Sequence, residues 1–303
     1  MGITLISQSG TMGIVFYDRI SKMDNIEIET LISVGNLAGL GFYDYINHAN
    51  NDENTDVILI YMEDVKNGKK FISICQNCKK PIVVLKGGRS SIGAKSAASH
   101  TGAMAGSDQI YQTAFKQAGV HSVDTIEELF MAAEVFSMCK IPNGNRVGIL
   151  SPGGGSNISC VDFCEKFNLI IPELSIITRE LITKHLPKHA PSPKNPVDTA
   201  ASFDADDFES IISHMLHDEN LDMLIINYVM TDNYISQWEE KYKYSAPIIL
   251  KNPPIPIIGS WMGNEGTVRK MFEEYIPIFD EPAKAAMGAS LIFRQFEYLK
   301  CKQ

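Results

Sequence analysis

Strand-length runs of continuous aliphatic residues recur along this chain, and helical patterns fill the spaces between them. The runs cover 3–7, 30–34, 57–61, 82–86, 147–151, 223–228, 248–251 and 255–260. They are apolar throughout rather than alternating, which is the pattern of strands buried on both faces. Helical spacing falls at 13–21, 41–50, 67–77, 107–117 and 125–138. Alternation of this kind needs right-handed crossovers, so the sequence predicts an α/β chain built on doubly wound parallel sheets.

The order of features is also repeated. The first half opens with a strand, then Ser7-Gln8-Ser9-Gly10, then a helix; the second opens with a strand, then Ser151-Pro152-Gly153-Gly154-Gly155-Ser156, then a helix. Asp56-Val57-Ile58-Leu59-Ile60-Tyr61 has its counterpart in Asp222-Met223-Leu224-Ile225-Ile226-Asn227, and Pro81-Ile82-Val83 in Pro256-Ile257-Ile258. Each half closes on a short strand and an Ala-rich helix, at 120–138 and 277–293. Pro142-Asn143-Gly144-Asn145 is the turn-rich joint, giving tandem domains at 1–142 and 143–303.

Composition bounds the function. A chain of 303 residues with a formal net charge of −9 and no long basic block is a poor partner for a nucleic-acid backbone. No apolar run is long enough for a membrane helix, and no basic stretch followed by an apolar one marks a signal peptide. Six scattered cysteines give no disulfide framework and suit a reducing cytoplasm. Cys75 and Cys78 are half of a tetrahedral site without a second pair. His185 and His189 are four apart, but Pro187 lies between them in the proline-rich stretch 185–198, which reads as a rigid loop. No metal site is expected.

Two strand-to-helix turns carry the first chemical signal. A helix N-terminus leaves N–H groups unpaired and carries partial positive charge, and small residues let an anion come close. Ser9 and Gly10 in one turn, and Gly153, Gly154, Gly155 and Ser156 in the other, fit that description. Neither turn matches G-x-G-x-x-G or the Walker pattern, and a tight turn alone can require glycine. At the same place in two repeats, the two can face each other across a pseudo-dyad and share one phosphate.

The second signal is 86–108, KGGRSSIGAKSAASHTGAMAGSD, which interrupts the first repeat after a strand. Gly, Ala and Ser dominate it and cannot pack a core, yet His100 stands near its middle between Ser99 and Thr101-Gly102. The string SHTGAMAGSD resembles the phosphohistidine loop of the NDP-forming acyl-CoA synthetases, the superfamily that includes succinyl-CoA synthetase. The SQSG turn is similar to that family's phosphate-binding turn. Tyr61-Met62-Glu63-Asp64 is similar to the strand end whose glutamate pairs with the active histidine. Gly153-Gly154-Gly155 and Asn195-Pro196-Val197-Asp198 resemble marks of its ligase-type domain. Thr11 after the first turn and Pro152 before the second depart from the common pattern, but neither removes an N–H from the glycines.

The resemblance implies two tandem flavodoxin-like domains, the first carrying the phosphohistidine loop 86–108 and the second of ligase-CoA type. It implies the reaction acid + ATP + CoA ⇌ acyl-CoA + ADP + phosphate. His100 carries the phosphoryl group, Glu63 fixes the imidazole tautomer, and the two turns hold the phosphate. CoA and ATP/ADP are substrates, with Mg2+ on the nucleotide. The CoA-binding domain and ATP-grasp module that family members need match no segment here. They are expected elsewhere, as further domains or partner subunits, in a dimer or heterotetramer acting on a short-chain carboxylic acid. The competing reading is a non-catalytic, acyl-CoA-sensing module of an acyltransferase-type protein; such modules tend to lose the histidine, which is present here.

Overall fold

In a computed structural model of the chain, the residues described are 2–23, 25–94, 107–201, 204–230, 250–263 and 267–302. They form two compact units, Met1–Ser137 and Met138–Gln303. The fold class is the expected one: each unit is an α/β layer structure on a five-stranded parallel sheet.

The first unit runs β1 (Gly2–Ser7), α1 (Gly10–Ile20), β2 (Glu27–Ser33), α2 (Phe42–Asn51), β3 (Val57–Met62), α3 (Gly68–Asn77), β4 (Ile82–Lys86), α4 (Asp108–Ala118), β5 (His121–Val123) and α5 (Ile126–Met138). Its strand order, β2-β1-β3-β4-β5, is the flavodoxin-like one. Ile6, Ile58, Ile60 and Val84 pack against Phe42, Ile46, Phe71 and Phe115 of α2, α3 and α4. On the other face Phe16 of α1 meets Tyr61 and Phe130, with ring centroids 6.1 and 5.8 Å apart. β1 and β4 are buried along their whole length, as continuous apolar runs require. β2 starts three residues earlier than expected. It is an edge strand whose residues alternate in exposure, so Glu27 and Glu29 face water within it.

The second unit contains β6 (Val147–Ser151), α6 (Gly154–Lys166), α7 (Ile176–Thr183), β7 (Val197–Asp198), α8 (Ala205–Leu216), β8 (Met223–Met230), β9 (Ile257–Gly263), α9 (Thr267–Glu273), β10 (Ile278–Phe279) and α10 (Pro282–Lys300). The order β7-β6-β8-β9-β10 repeats the first topology. Tyr228 anchors the core face, its ring 5.4 Å from Trp261 and 5.1 Å from Phe272.

The repeat extends to individual hydrogen bonds. Asp56 N–H donates to Gly2 O (2.7 Å) while Asp56 Oδ2 accepts from Gly2 N–H (2.9 Å). Asp222 N–H donates to Arg146 O (2.8 Å) while Asp222 Oδ2 accepts from Arg146 N–H (3.0 Å). Both aspartates lock the start of the third strand in sheet order to that of the second. The Pro81 carbonyl accepts from Ile58 N–H at 3.0 Å, and Pro256 from Leu224 N–H at 2.9 Å.

Two expectations are corrected. The strand expected at 248–251 is not one where it is described: Leu250 is helical and buried as a core residue, and Lys251 lies in a bend. Leu250 is apolar because it packs into the core, and a short apolar run alone does not distinguish strand from helix. The proline-rich stretch, expected to be irregular throughout, supplies the edge strand β7. Asn195 makes this possible, because its side chain pairs with the sheet as a backbone unit would. Its Oδ1 accepts from Ile149 N–H (2.9 Å) and its Nδ2 donates to Val147 O (2.8 Å). No helix among the described residues is long and apolar enough to cross a membrane.

Candidate functional site

Ser9 is the N-cap of α1; its Oγ accepts from Met12 N–H at 3.3 Å and its carbonyl from Gly13 N–H at 2.9 Å. Helix geometry leaves the N–H groups of Gly10 and Thr11 without intrahelical acceptors. They sit just past the C-terminal end of β1, beside β3, at the point where the strand order reverses. Open α/β sheets place ligand sites at such points.

Glu63 lies one residue beyond β3, so the sheet brings it to the same edge as Ser9 and Gly10. Gln8, buried in the first turn, makes the connection. Its N–H donates to Tyr61 O at 3.1 Å, continuing the β1–β3 ladder by one residue. Its Oε1 accepts from the N–H of both Glu63 (2.5 Å) and Asp64 (2.8 Å).

The neighbouring acid is committed elsewhere: Asp64 Oδ1 accepts from the Tyr111 hydroxyl at 3.0 Å. Burial and then the Asp64 charge push the Tyr111 phenol up to about 12. Lys86, at the end of β4, is 6% exposed. Its ammonium donates to Gly87 O (2.5 Å) and lies 4.5 Å from the centre of the Tyr111 ring. Burial pulls its pKa down, opposed by the charges of Asp64, Asp108 and Glu63. Arg89 pairs with Asp108 (Nε–Oδ1 3.2 Å) and with Asp124. Gly87 packs so closely that a Cβ there would lie 2.9 Å from the Tyr61 hydroxyl and 3.7 Å from Glu63 Cγ. Lys86 and Gly87 lead into the segment that contains His100, and Asp108 and Tyr111 follow it. Both ends of that segment are therefore fastened beside Glu63 and Asp64.

His100, Ser99, Thr101 and Gly102 lie outside the described residues. In the second unit, Gly153 N–H donates to Ser151 Oγ (3.0 Å), and Ser156 Oγ donates to Gly153 O (2.8 Å), which closes the turn into α6. A Cβ on Gly155 would meet nothing within 4 Å, so its backbone is open to approach. A Cβ on Gly154 would meet Asp198 Oδ2 at 2.9 Å.

Sequence reasoning missed the connecting roles. Gln8 was read only as part of a glycine turn; its signal was a long amide among small residues. Lys86 directly follows a fully apolar run, which is the signal for its burial.

The chain is similar to several known proteins. Residues 1–136 match the family described as the succinyl-CoA ligase like flavodoxin domain. The alpha subunit of ADP-forming acetate–CoA ligase I from Pyrococcus furiosus is 33% identical over 303 residues, covering 96% of this chain and 63% of that subunit. The alpha subunit of ligase II from the same organism is 33% identical over 299 residues, covering 97% of this chain and 65% of that subunit. The chain thus spans less than two thirds of the length of these relatives. The dinucleotide forming acetyl-coenzyme A synthetase 1 of Ca. Korarchaeum cryptofilum, solved in complex with phosphate and ADP, superimposes with a TM-score of 0.85 at 27% identity. That match covers 99% of this chain and 66% of the other.

Proposed function

This chain belongs to the NDP-forming acyl-CoA synthetase superfamily, and from that premise we propose that it carries the phosphohistidine step of an acid–CoA ligase. The overall reaction is acid + ATP + CoA ⇌ acyl-CoA + ADP + phosphate. The observation that carries the reading is the rooting of both ends of the His100 segment beside Glu63, next to the α1 N-terminus.

In the ATP-yielding direction, a neutral ring nitrogen of His100 attacks the phosphorus of an acyl phosphate. An N–P bond forms, the P–O bond to the acyl oxygen breaks, and the carboxylate leaves with the electron pair. A β-phosphate oxygen of ADP then attacks the same phosphorus and the N–P bond breaks, regenerating imidazole. Glu63 accepts the N–H of the other ring nitrogen, which fixes the tautomer and stabilises the charge that develops on the ring. Each unit offers donors for phosphoryl oxygens, the N–H groups at Ser9 and Gly10 in the first and those at Gly154, Gly155 and Ser156 in the second, where Gly153 holds the turn through its N–H to Ser151 Oγ. Ser99, Thr101 and Gly102 flank the carrier and shape its approach.

In this reading 1–142 is the succinyl-CoA-synthetase-like domain and 143–303 the ligase-CoA-type domain. An ATP-grasp subunit or domain supplies the nucleotide with its Mg2+, and a CoA-binding domain or subunit supplies CoA. Naming of the relatives as alpha subunits supports assembly with partners, as a dimer or heterotetramer. Relatives named for acetate and 4-hydroxybutyrate support a short-chain acid as substrate. The compartment is a reducing cytoplasm, consistent with six free cysteines. The test is turnover of acetate, CoA and ATP by this chain with its ATP-grasp and CoA-binding partners. His100→Asn should abolish acetyl-CoA formation with an unchanged melting temperature; undiminished turnover would contradict the assignment.

A further inference from the structure

We propose that Gln8 is a positioning residue for phosphoryl transfer: it holds the Glu63 backbone so that the carboxylate stands beside the α1 N-terminus. The proposal rests on the reading of Glu63 as the partner of His100. Its own basis is the geometry of the turn. Gln8 is 8% exposed, and one carbonyl oxygen of its side chain collects two successive N–H groups, those of Glu63 and Asp64. These are the first two N–H groups beyond the β3 strand. The Gln8 backbone is itself fixed by the Tyr61 carbonyl, and the next residue caps α1. Two residues of one turn thus divide the work: Ser9 orients the helix N-terminus toward an anion and Gln8 orients the acid strand end beside it. Asp64, held by the same oxygen, is tied to Tyr111 at the far end of the His100 segment. The clamp therefore sets the acid and one root of the loop together.

Gln8→Met keeps length and burial but removes the strong acceptor. Released from the clamp, the Glu63 backbone can move by ~1 Å, a displacement that costs up to about a hundredfold in rate. The protein is assayed with its ATP-grasp partner, radiolabelled ATP and Mg2+, following protein-bound label against pH. A carboxylate near an imidazole raises its pKa, and the neutral ring is the nucleophile, so the rate falls on the acid side of that pKa. Gln8→Met should lower the rate by roughly tenfold to a hundredfold and move the acid limb to lower pH, where Glu63→Gln also places it. The double variant should be no slower than Glu63→Gln alone, because both changes remove one function.

A wild-type rate, an acid limb left in place, or losses that multiply in the double variant would each overturn the proposal. If Gln8→Met does not fold, Gln8→Asn, one methylene too short to reach both N–H groups, is read by the same cycle. Persistent labelling of His100→Asn would instead overturn the phosphohistidine reading, whatever the Gln8 variants do.

Discussion

Replacing Gly87 with alanine places a methyl group 2.9 Å from the Tyr61 hydroxyl oxygen, 3.4 Å from its ring Cζ and 3.7 Å from Glu63 Cγ. The first distance falls short of the 3.4 Å at which ordinary contact begins, by 3.4 − 2.9, or about 0.5 Å. Gly87 is not among the glycines at positive φ, so the cost of alanine is steric rather than conformational. Tyr61 cannot simply swing away, because its ring packs edge-on against Phe16 at 6.1 Å. Overpacking of this size costs about 1–3 kcal/mol, which for a unit of this length lowers the melting temperature by roughly 3–10 °C. Tyr61→Phe removes the offending oxygen and leaves Cζ at an ordinary distance. In that background Gly87→Ala should cost less than about 0.5 kcal/mol. Calorimetry on the wild type, both single variants and the double variant measures the coupling directly. Turnover should follow the same order, because displacement of Tyr61 is passed to Glu63. Equal destabilisation by Gly87→Ala in both backgrounds would refute the packing argument.

Other outcomes follow from the same geometry. Gly155→Ala should stabilise the second unit by about 0.5–1 kcal/mol, since the methyl meets nothing and alanine is the better helix former; Gly154→Ala should forfeit that gain against Asp198, and calorimetry separates the two. Asp222→Ala strips the acceptor from Arg146 N–H, Nε and Nη2, and should lower stability by about 2–4 kcal/mol in urea titration, with Asp222→Asn milder. His214 has its pKa lowered, first by burial and then by the charges of His185, Lys184 and His217. Below its ordinary value of 6.5 the unfolded chain binds the extra proton more readily, so stability is lost as pH falls through 6.5. His214→Gln should flatten that loss in melts taken between about pH 7 and pH 5.

Most of the fold was legible because fully buried parallel strands leave an unmistakable pattern. β1, β3, β4, β6 and β8 were found where their aliphatic runs stand. What escaped was decided by tertiary context. Glu27 and Glu29 belong to a strand because it lies at a sheet edge. Val197 and Asp198 do so because the Asn195 amide stands in for a backbone unit, and Leu250 does not, because it is a helical residue packed into the core. At the candidate site the turn and the acid were visible as separate motifs. The Gln8 clamp and the Lys86–Tyr111 contact were not, since each joins residues far apart in sequence through a single side chain.

The central claim is tested most directly by exposing this chain, with its ATP-grasp partner, to radiolabelled ATP and Mg2+ and then characterising the protein-bound phosphate. The account predicts a label that is stable in base, labile in acid, discharged to ADP, and absent from His100→Asn. A label that is acid-stable, or one that persists in His100→Asn, would contradict it.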